Sequence, residues 1–289
     1  MKKSSVLRER LKQKDIIVVP GASSALFARV VEDAGFEAVY ATGAGISNMQ
    51  FGFPDFGLLT MTEVLETVKR INDATSLPVI ADIDNGYGNA INVYRTVMEF
   101  SKASVAAVQI EDQEAPKRCG HFEGKTLITC REMENKIKAA RDGSIDDDLV
   151  IIARTDAVAV EGIEEALKRA NAYVEAGADM IFVEALRSKE ELSRIPPALK
   201  VPAVANMVEG GKTPLISAKE LEAMGYKMVL YANCTLRAAV KAVFNILADL
   251  KNNGSTKESL SRIISMKERN DITRLDDFYE MERRYGIKE

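Results

Sequence analysis

The stretch 110–121, Ile-Glu-Asp-Gln-Glu-Ala-Pro-Lys-Arg-Cys-Gly-His, gathers side chains able to do acid, base and nucleophilic chemistry. It ends an apolar run, Val105 to Ile110, then passes through Glu111 and Asp112 to Lys117, Arg118, Cys119 and His121. A cysteine beside two cations and the chain's single histidine sits in a field that lowers a thiol pKa, and the thiolate is the reactive form. A solvated loop with a chance cysteine is the plain alternative, because loops are polar whether or not they carry function. Asp82 and Asp84 lie two apart at the end of another apolar run. In an extended strand that spacing puts both carboxylates on one side. With Glu111 they make an oxygen-only cluster suited to Mg2+. A solvated loop end explains any one of these acids, but three at neighbouring strand tips repel one another without a cation.

Other run ends are chemically coherent with these. Thr42-Gly43-Ala44-Gly45 is a small-residue turn able to offer backbone N–H groups to a carboxylate or phosphate. Asp55 follows in Gly52-Phe53-Pro54-Asp55, and later runs end in Arg154-Thr155-Asp156, in Glu184 and in Asn206. Arg, Asn and Thr beside a metal suit a small substrate bearing carboxylates. Arg154 and Asp156 equally suit a structural ion pair. Cys130 and Cys234 read as small buried hydrophobes.

The elements that must hold these residues are eight short runs rich in Val, Ile and Ala: 16–20, 38–42, 79–84, 106–112, 150–156, 180–184, 203–206 and 228–233. They are continuously apolar, the pattern of parallel strands covered on both faces. Amphipathic segments such as Ile163 to Val174 lie between them. A doubly wound open sheet would bring a glycine-rich phosphate loop after its first strand, and Pro20-Gly21-Ala22-Ser23-Ser24 does not match one. The count therefore predicts an α/β fold, a (β/α)8 TIM-type barrel. A leading helix is expected over 5–14 and a long helix over 236–250. The catalytic barrel then spans 1–250, and 251–289 is a C-terminal helical extension. Leu260, Ile263, Ile264 and Met266 give that tail an apolar face suited to a neighbouring subunit or to its own barrel.

At 289 residues one large domain is comfortable. With 39 basic against 43 acidic residues, the net charge of −4 argues against general attraction to nucleic acid or an anionic membrane. No apolar run approaches the ~20 residues that span a bilayer. The N-terminus lacks a signal-peptide hydrophobic region, so a cytoplasmic location is expected. Three cysteines imply neither a disulfide framework nor a structural zinc site.

Gly-Phe-Pro-Asp at 52–55, Asp-Ile-Asp-Asn-Gly-Tyr-Gly at 82–88, Glu-Asp-Gln at 111–113, Lys-Arg-Cys-Gly-His at 117–121, Ala-Arg-Thr-Asp at 153–156 and Asn-Met-Val-Glu-Gly-Gly-Lys-Thr-Pro at 206–214 resemble the isocitrate lyase and phosphoenolpyruvate mutase superfamily. The run at 117–121 is the most specific piece and is similar to the lyase branch. The resemblance implies a Mg2+-dependent enzyme, with Mn2+ able to replace the ion, built as a homotetramer that exchanges its last barrel helix. It implies that Asp82 binds the metal directly, with Asp84 and Glu111 reaching it mainly through water. Thr42, Gly43 and Ala44 would hold a pyruvate-like carboxylate, Arg154 would contact substrate oxygens, and Asp55 would help fix the metal site. Glu184 and Asn206 would contact the second half of the substrate, a di- or tricarboxylate.

The chemistry implied is cleavage of the C2–C3 bond of a 2-hydroxy acid. Cys119 would protonate the carbanion left behind, with Lys117, Arg118 and His121 supplying charge and position. The expected substrate is 2,3-dimethylmalate, with its methyl groups near Phe182 and Phe53. The alternatives are 2-methylisocitrate, a phosphonomutase reaction, and decarboxylation or hydrolysis of oxaloacetate.

Overall fold

The computed structural model describes residues 1–118, 120 and 124–286. Eight parallel strands close into a barrel in sequence order: β1 Ile17–Ala22, β2 Val39–Ala41, β3 Val79–Asp82, β4 Ala107–Glu111, β5 Val150–Thr155, β6 Met180–Val183, β7 Ala203–Asn206 and β8 Met228–Tyr231. Closure is made by β1 on β8, with Ile17 level with Met228 and Pro20 with Tyr231. All eight expected runs are strands, each shifted by at most two residues at an end.

Alternation along the strands divides the core in two. Ile17, Val19, Tyr40, Ile80, Ile152, Phe182, Val204 and Leu230 point into the barrel and pack as one cluster. The neighbouring residues, among them Ala41, Ala81, Val108, Ile151, Ile181 and Val229, point outward and pack under the surrounding helices in a second, larger cluster. The N-terminal helix Lys3–Leu11 closes the bottom, its Leu7 joining the interior cluster. Both layers exclude water, so the polar strand ends are fixed on a rigid frame.

The strand ends differ from the extended geometry expected at two places that matter for the site. Thr42 is not a strand residue; its hydroxyl caps a short helix, Gly43–Ile46, by accepting from Gly45 N–H. The chain leaves β3 at Asp82, and Asp84 adopts a left-handed backbone with φ 49°. Asp82 and Asp84 are therefore brought together by a turn and not by strand alternation.

The last barrel helix runs Cys234–Asn253, longer at both ends than expected, and only Leu236 of it is buried. Val240, Val243, Phe244 and Leu247 are exposed on it, as are Leu260, Ile263, Ile264 and Met266 beyond it. The tail turns back to its own barrel where Arg29 Nη1 donates to the Ile272 carbonyl at 3.2 Å and Arg274 pairs with Asp33. Among the described residues no helix is long and apolar enough to cross a membrane.

Candidate active site

The polar side chains collect at the C-terminal mouth of the barrel, where loops can be varied without disturbing the packed strands. A small cavity of about 40 Å³, partly open to solvent, lies there. Thr42, Ala44, Asp55, Asp82, Lys117, Arg118, Arg154, Glu184 and Asn206 of the expected set all line it. Gly43 lies directly behind: its N–H donates to Asp82 Oδ2 at 3.1 Å, so that donor serves a carboxylate of the protein. A methyl group added to Gly43 would sit 2.9 Å from Asp82 Oδ2 and 3.2 Å from Asp84 Oδ1. Glycine is what lets this turn approach both acids. Cys119 and His121 lie outside the described residues.

Two cations neutralise the buried acids. Lys117, nearly fully buried, reaches Asp84 Oδ1 at 2.9 Å and donates to Asp55 Oδ1. Burial works against its charge, but Asp84, Asp55 and Glu111 outweigh that and hold its pKa well above the usual lysine value. Burial pushes the Asp84 carboxyl up to about 6, with Lys117 opposing the rise. Burial likewise drives Glu111 well above the ordinary range against the pull of Arg154. Arg154 forms the ion pair with Asp156 that its spacing allowed, Nε to Oδ2 at 2.9 Å and Nη2 to Oδ1 at 3.1 Å. The same guanidinium stands 3.4 Å from Glu111 and 3.6 Å from Glu184, and 5.1 Å above the Phe182 ring.

Asp82, Asp84 and Glu111 do not converge as a ready three-carboxylate ion site among the described residues. Their chemistry nevertheless fits Mg2+. All are oxygen donors, and Glu111 Oε1 is buried with no hydrogen-bond donor on it among the described residues. Mg2+ keeps several waters and is commonly held by one or two carboxylates, so separated acids reaching it through water satisfy its geometry.

Several participants were not singled out from sequence. Tyr40 lines the cavity and donates from its hydroxyl to Gln109 Oε1 at 2.7 Å, and Gln109 is fully buried beneath Asp82. The signal for Gln109 was a lone amide inside the run Val-Ala-Ala-Val-Gln-Ile. Lys125 is also buried, donating to Asp156 Oδ1 at 2.8 Å and to the Gly120 carbonyl. Behind them Asp112 accepts from Thr155 Oγ1, the Asp156 N–H and the Tyr173 hydroxyl. One expectation fails: Phe53 does not line the cavity, because it projects outward and stacks on Phe51 with ring centroids 6.4 Å apart. Phe182 does line it, joined by Val208, Leu230 and Ala232.

The chain is similar to known proteins along nearly its whole length. The family model described as phosphoenolpyruvate phosphomutase matches residues 7–251. A 2,3-dimethylmalate lyase from Eubacterium barkeri is 45% identical over 286 residues, covering 99% of each chain. A 2-methylisocitrate lyase from Halalkalibacterium halodurans is 45% identical over 271 residues, 94% of this chain and 89% of that one. Among solved structures, a phosphonopyruvate hydrolase in complex with oxalate and Mg2+ superposes with a TM-score of 0.89 at 32% identity, covering 99% of both chains.

Proposed function

The chain belongs to the phosphoenolpyruvate phosphomutase family, within the isocitrate lyase and phosphoenolpyruvate mutase superfamily, and from that premise we propose that it cleaves 2,3-dimethylmalate to pyruvate and propionate. That it is an enzyme of the carbon–carbon lyase and mutase group follows from its relatives. The substrate rests on one observation, the division of the cavity wall. The side contributed by β2 to β5 and their loops carries Lys117, Arg118 and Arg154. The side contributed by β6 to β8 carries Phe182, Glu184, Asn206, Val208, Leu230, Ala232 and Asn233, and among the described lining residues it contributes no cation of its own. A methylated half-substrate is at home against that wall. A third carboxylate would need a charge-assisted partner there to offset its desolvation.

In this reading Thr42 and Ala44 face one carboxylate of the substrate, and Arg154 faces its oxygens. Asp82, Asp84 and Glu111 would hold Mg2+, which would supply Lewis-acid stabilisation of the developing alkoxide. Asp55 holds the Lys117 ammonium against Asp84, which fixes the charge of the pocket before substrate arrives. Cys119 delivers a proton to the departing carbanion, and Arg118 and His121 supply charge beside it. Glu184 is held by Asn206 Nδ2 at 3.2 Å and by the Ala185 N–H at 2.9 Å, so it meets the second half in one fixed orientation.

A homotetramer exchanging its last helix accords with the exposed apolar face of Cys234–Asn253. The second reading, 2-methylisocitrate, is supported by the relative of that name at equal identity. The test is release of a 2-oxo acid, followed with lactate dehydrogenase, from 2,3-dimethylmalate, 2-methylisocitrate, isocitrate and oxaloacetate. Pyruvate from a methylated acid, abolished by EDTA and lowered about 10²- to 10⁴-fold in Cys119→Ser, is expected. No 2-oxo acid released from any of the four would overturn the lyase reading in favour of phosphonate chemistry.

A further inference from the structure

Lys125 lies past the reactive stretch and outside the cavity lining, yet its side chain is more deeply buried than that of any charged residue facing the cavity. A lone ammonium in such a place is costly, so what it touches indicates why it is there. Its Nζ donates to Asp156 Oδ1 at 2.8 Å and to the carbonyl of Gly120, five residues back in the loop. Asp156 Oδ1 also takes Arg154 Nη2 at 3.1 Å, while Oδ2 takes Arg154 Nε at 2.9 Å. One carboxylate therefore receives both the cavity's arginine and the lysine that grips the loop. Gly120 is packed tightly against the same group: a methyl group on it would lie 2.4 Å from Arg154 Nη2 and 2.6 Å from Glu184 Cγ. The base of the loop is fixed separately, where Glu114 N–H donates to the Thr126 carbonyl at 2.9 Å and Ile128 N–H to Asp112 at 3.0 Å. Lys125 is thus not needed to close the loop's ends.

We propose that Lys125 is a positioning residue that ties the Gly120 carbonyl, through Asp156, to the guanidinium of Arg154. The loop segment and the arginine then take their working places together. The catalytic half of this proposal rests on the lyase reading above; the mechanical half does not. Without the ammonium, Asp156 still binds Arg154 but no longer holds Gly120. The loop then loses its register against the substrate, and a misplacement of about 1 Å costs about 100-fold in rate.

The experiment compares wild type, Lys125→Met and Lys125→Arg in two assays at a temperature where circular dichroism shows all three folded. In the first, pyruvate release is followed across substrate concentration. Lys125→Met is expected to lose about 100-fold in kcat with KM changed less than about threefold. Lys125→Arg, which retains a donor cation, is expected to recover at least about tenfold of that loss. In the second, native protein is exposed to trypsin and cleavage after Arg118 is quantified by mass spectrometry. Faster nicking in Lys125→Met than in wild type, reversed in Lys125→Arg, is expected. A Lys125→Met variant with normal kcat and nicking, or one whose only change is a lower Tm, overturns the proposal. Absence of pyruvate from wild type itself would instead overturn the lyase reading, leaving the nicking assay to decide the tie between Lys125 and the loop.

Discussion

The two walls of the barrel mouth are built on the same scaffold and do opposite things with it. On the β2 to β5 side, charged groups are stacked several deep: Lys117 between Asp55 and Asp84, Arg154 between Asp156, Glu111 and Glu184. On the β6 to β8 side, apolar residues, two amides and the single carboxylate of Glu184 line the space. Buried charges are tolerated only when each has partners, so the first wall is a single interlocked network in which few substitutions are neutral. The second wall can change size and polarity one residue at a time. The difference teaches where chemistry and where selectivity reside in this fold: the first wall fits a reaction common to many substrates, the second the part that distinguishes them.

Breaking the charged wall carries the largest expected effect. Asp82→Ala removes the acceptor for two backbone N–H groups, Gly43 and Asp84, along with an oxygen donor proposed for Mg2+. We expect a fall in kcat/KM on the order of 10³-fold and loss of Mg2+ binding by calorimetry. Arg154→Lys keeps the charge but cannot fork onto Asp156 or stack flat on Phe182, and a fall of about 10²-fold is expected. A loss smaller than about threefold in steady-state kinetics would show that the guanidinium geometry is not used.

Sharpening the contrast requires moving a cation across the mouth. Val208→Arg places one on the wall that lacks it, and the ratio of kcat/KM for 2-methylisocitrate over 2,3-dimethylmalate is expected to rise about tenfold, the worth of one charge-assisted hydrogen bond. An unchanged ratio would mean that the apolar wall does not select the substrate.

The smallest effect is on stability in acid. Burial alone would raise the Asp156 carboxyl, but Arg154 and Lys125 more than offset this and hold it at about 2. A carboxylate depressed below its unfolded value, near 4, contributes stability that is complete above that value and is lost as pH falls towards 2. Across that window the Tm of Asp156→Asn should fall less steeply than that of wild type. Parallel curves would remove Asp156 from the acid response.

The barrel was legible in the sequence because each strand is a largely apolar run, the pattern of a parallel strand covered on both faces, and no glycine-rich phosphate loop follows the first of them. The strand tips were legible as chemistry but not as geometry. Asp84 was expected on an extended strand and instead turns left-handed, a choice made by the tight approach to Gly43 rather than by local preference. Lys117 was expected to supply charge for the cysteine, which lies outside the described residues; what the sequence did not show is that its ammonium is set between two acids, one of them 62 residues away in the chain. Lys125 carried no signal, since a lysine next to a glycine reads as an exposed loop residue until the fold buries it. Phe53 was misjudged because its neighbourhood to Asp55 in sequence does not fix the direction of its ring.

The most direct test of the division between the walls is to measure kcat/KM for 2,3-dimethylmalate and 2-methylisocitrate side by side on the Mg2+-loaded wild-type protein. A preference of about tenfold or more for 2,3-dimethylmalate is expected from a second wall without a cation. Equal or better turnover of 2-methylisocitrate would contradict it, because that wall would then be accommodating a third carboxylate without a charged partner.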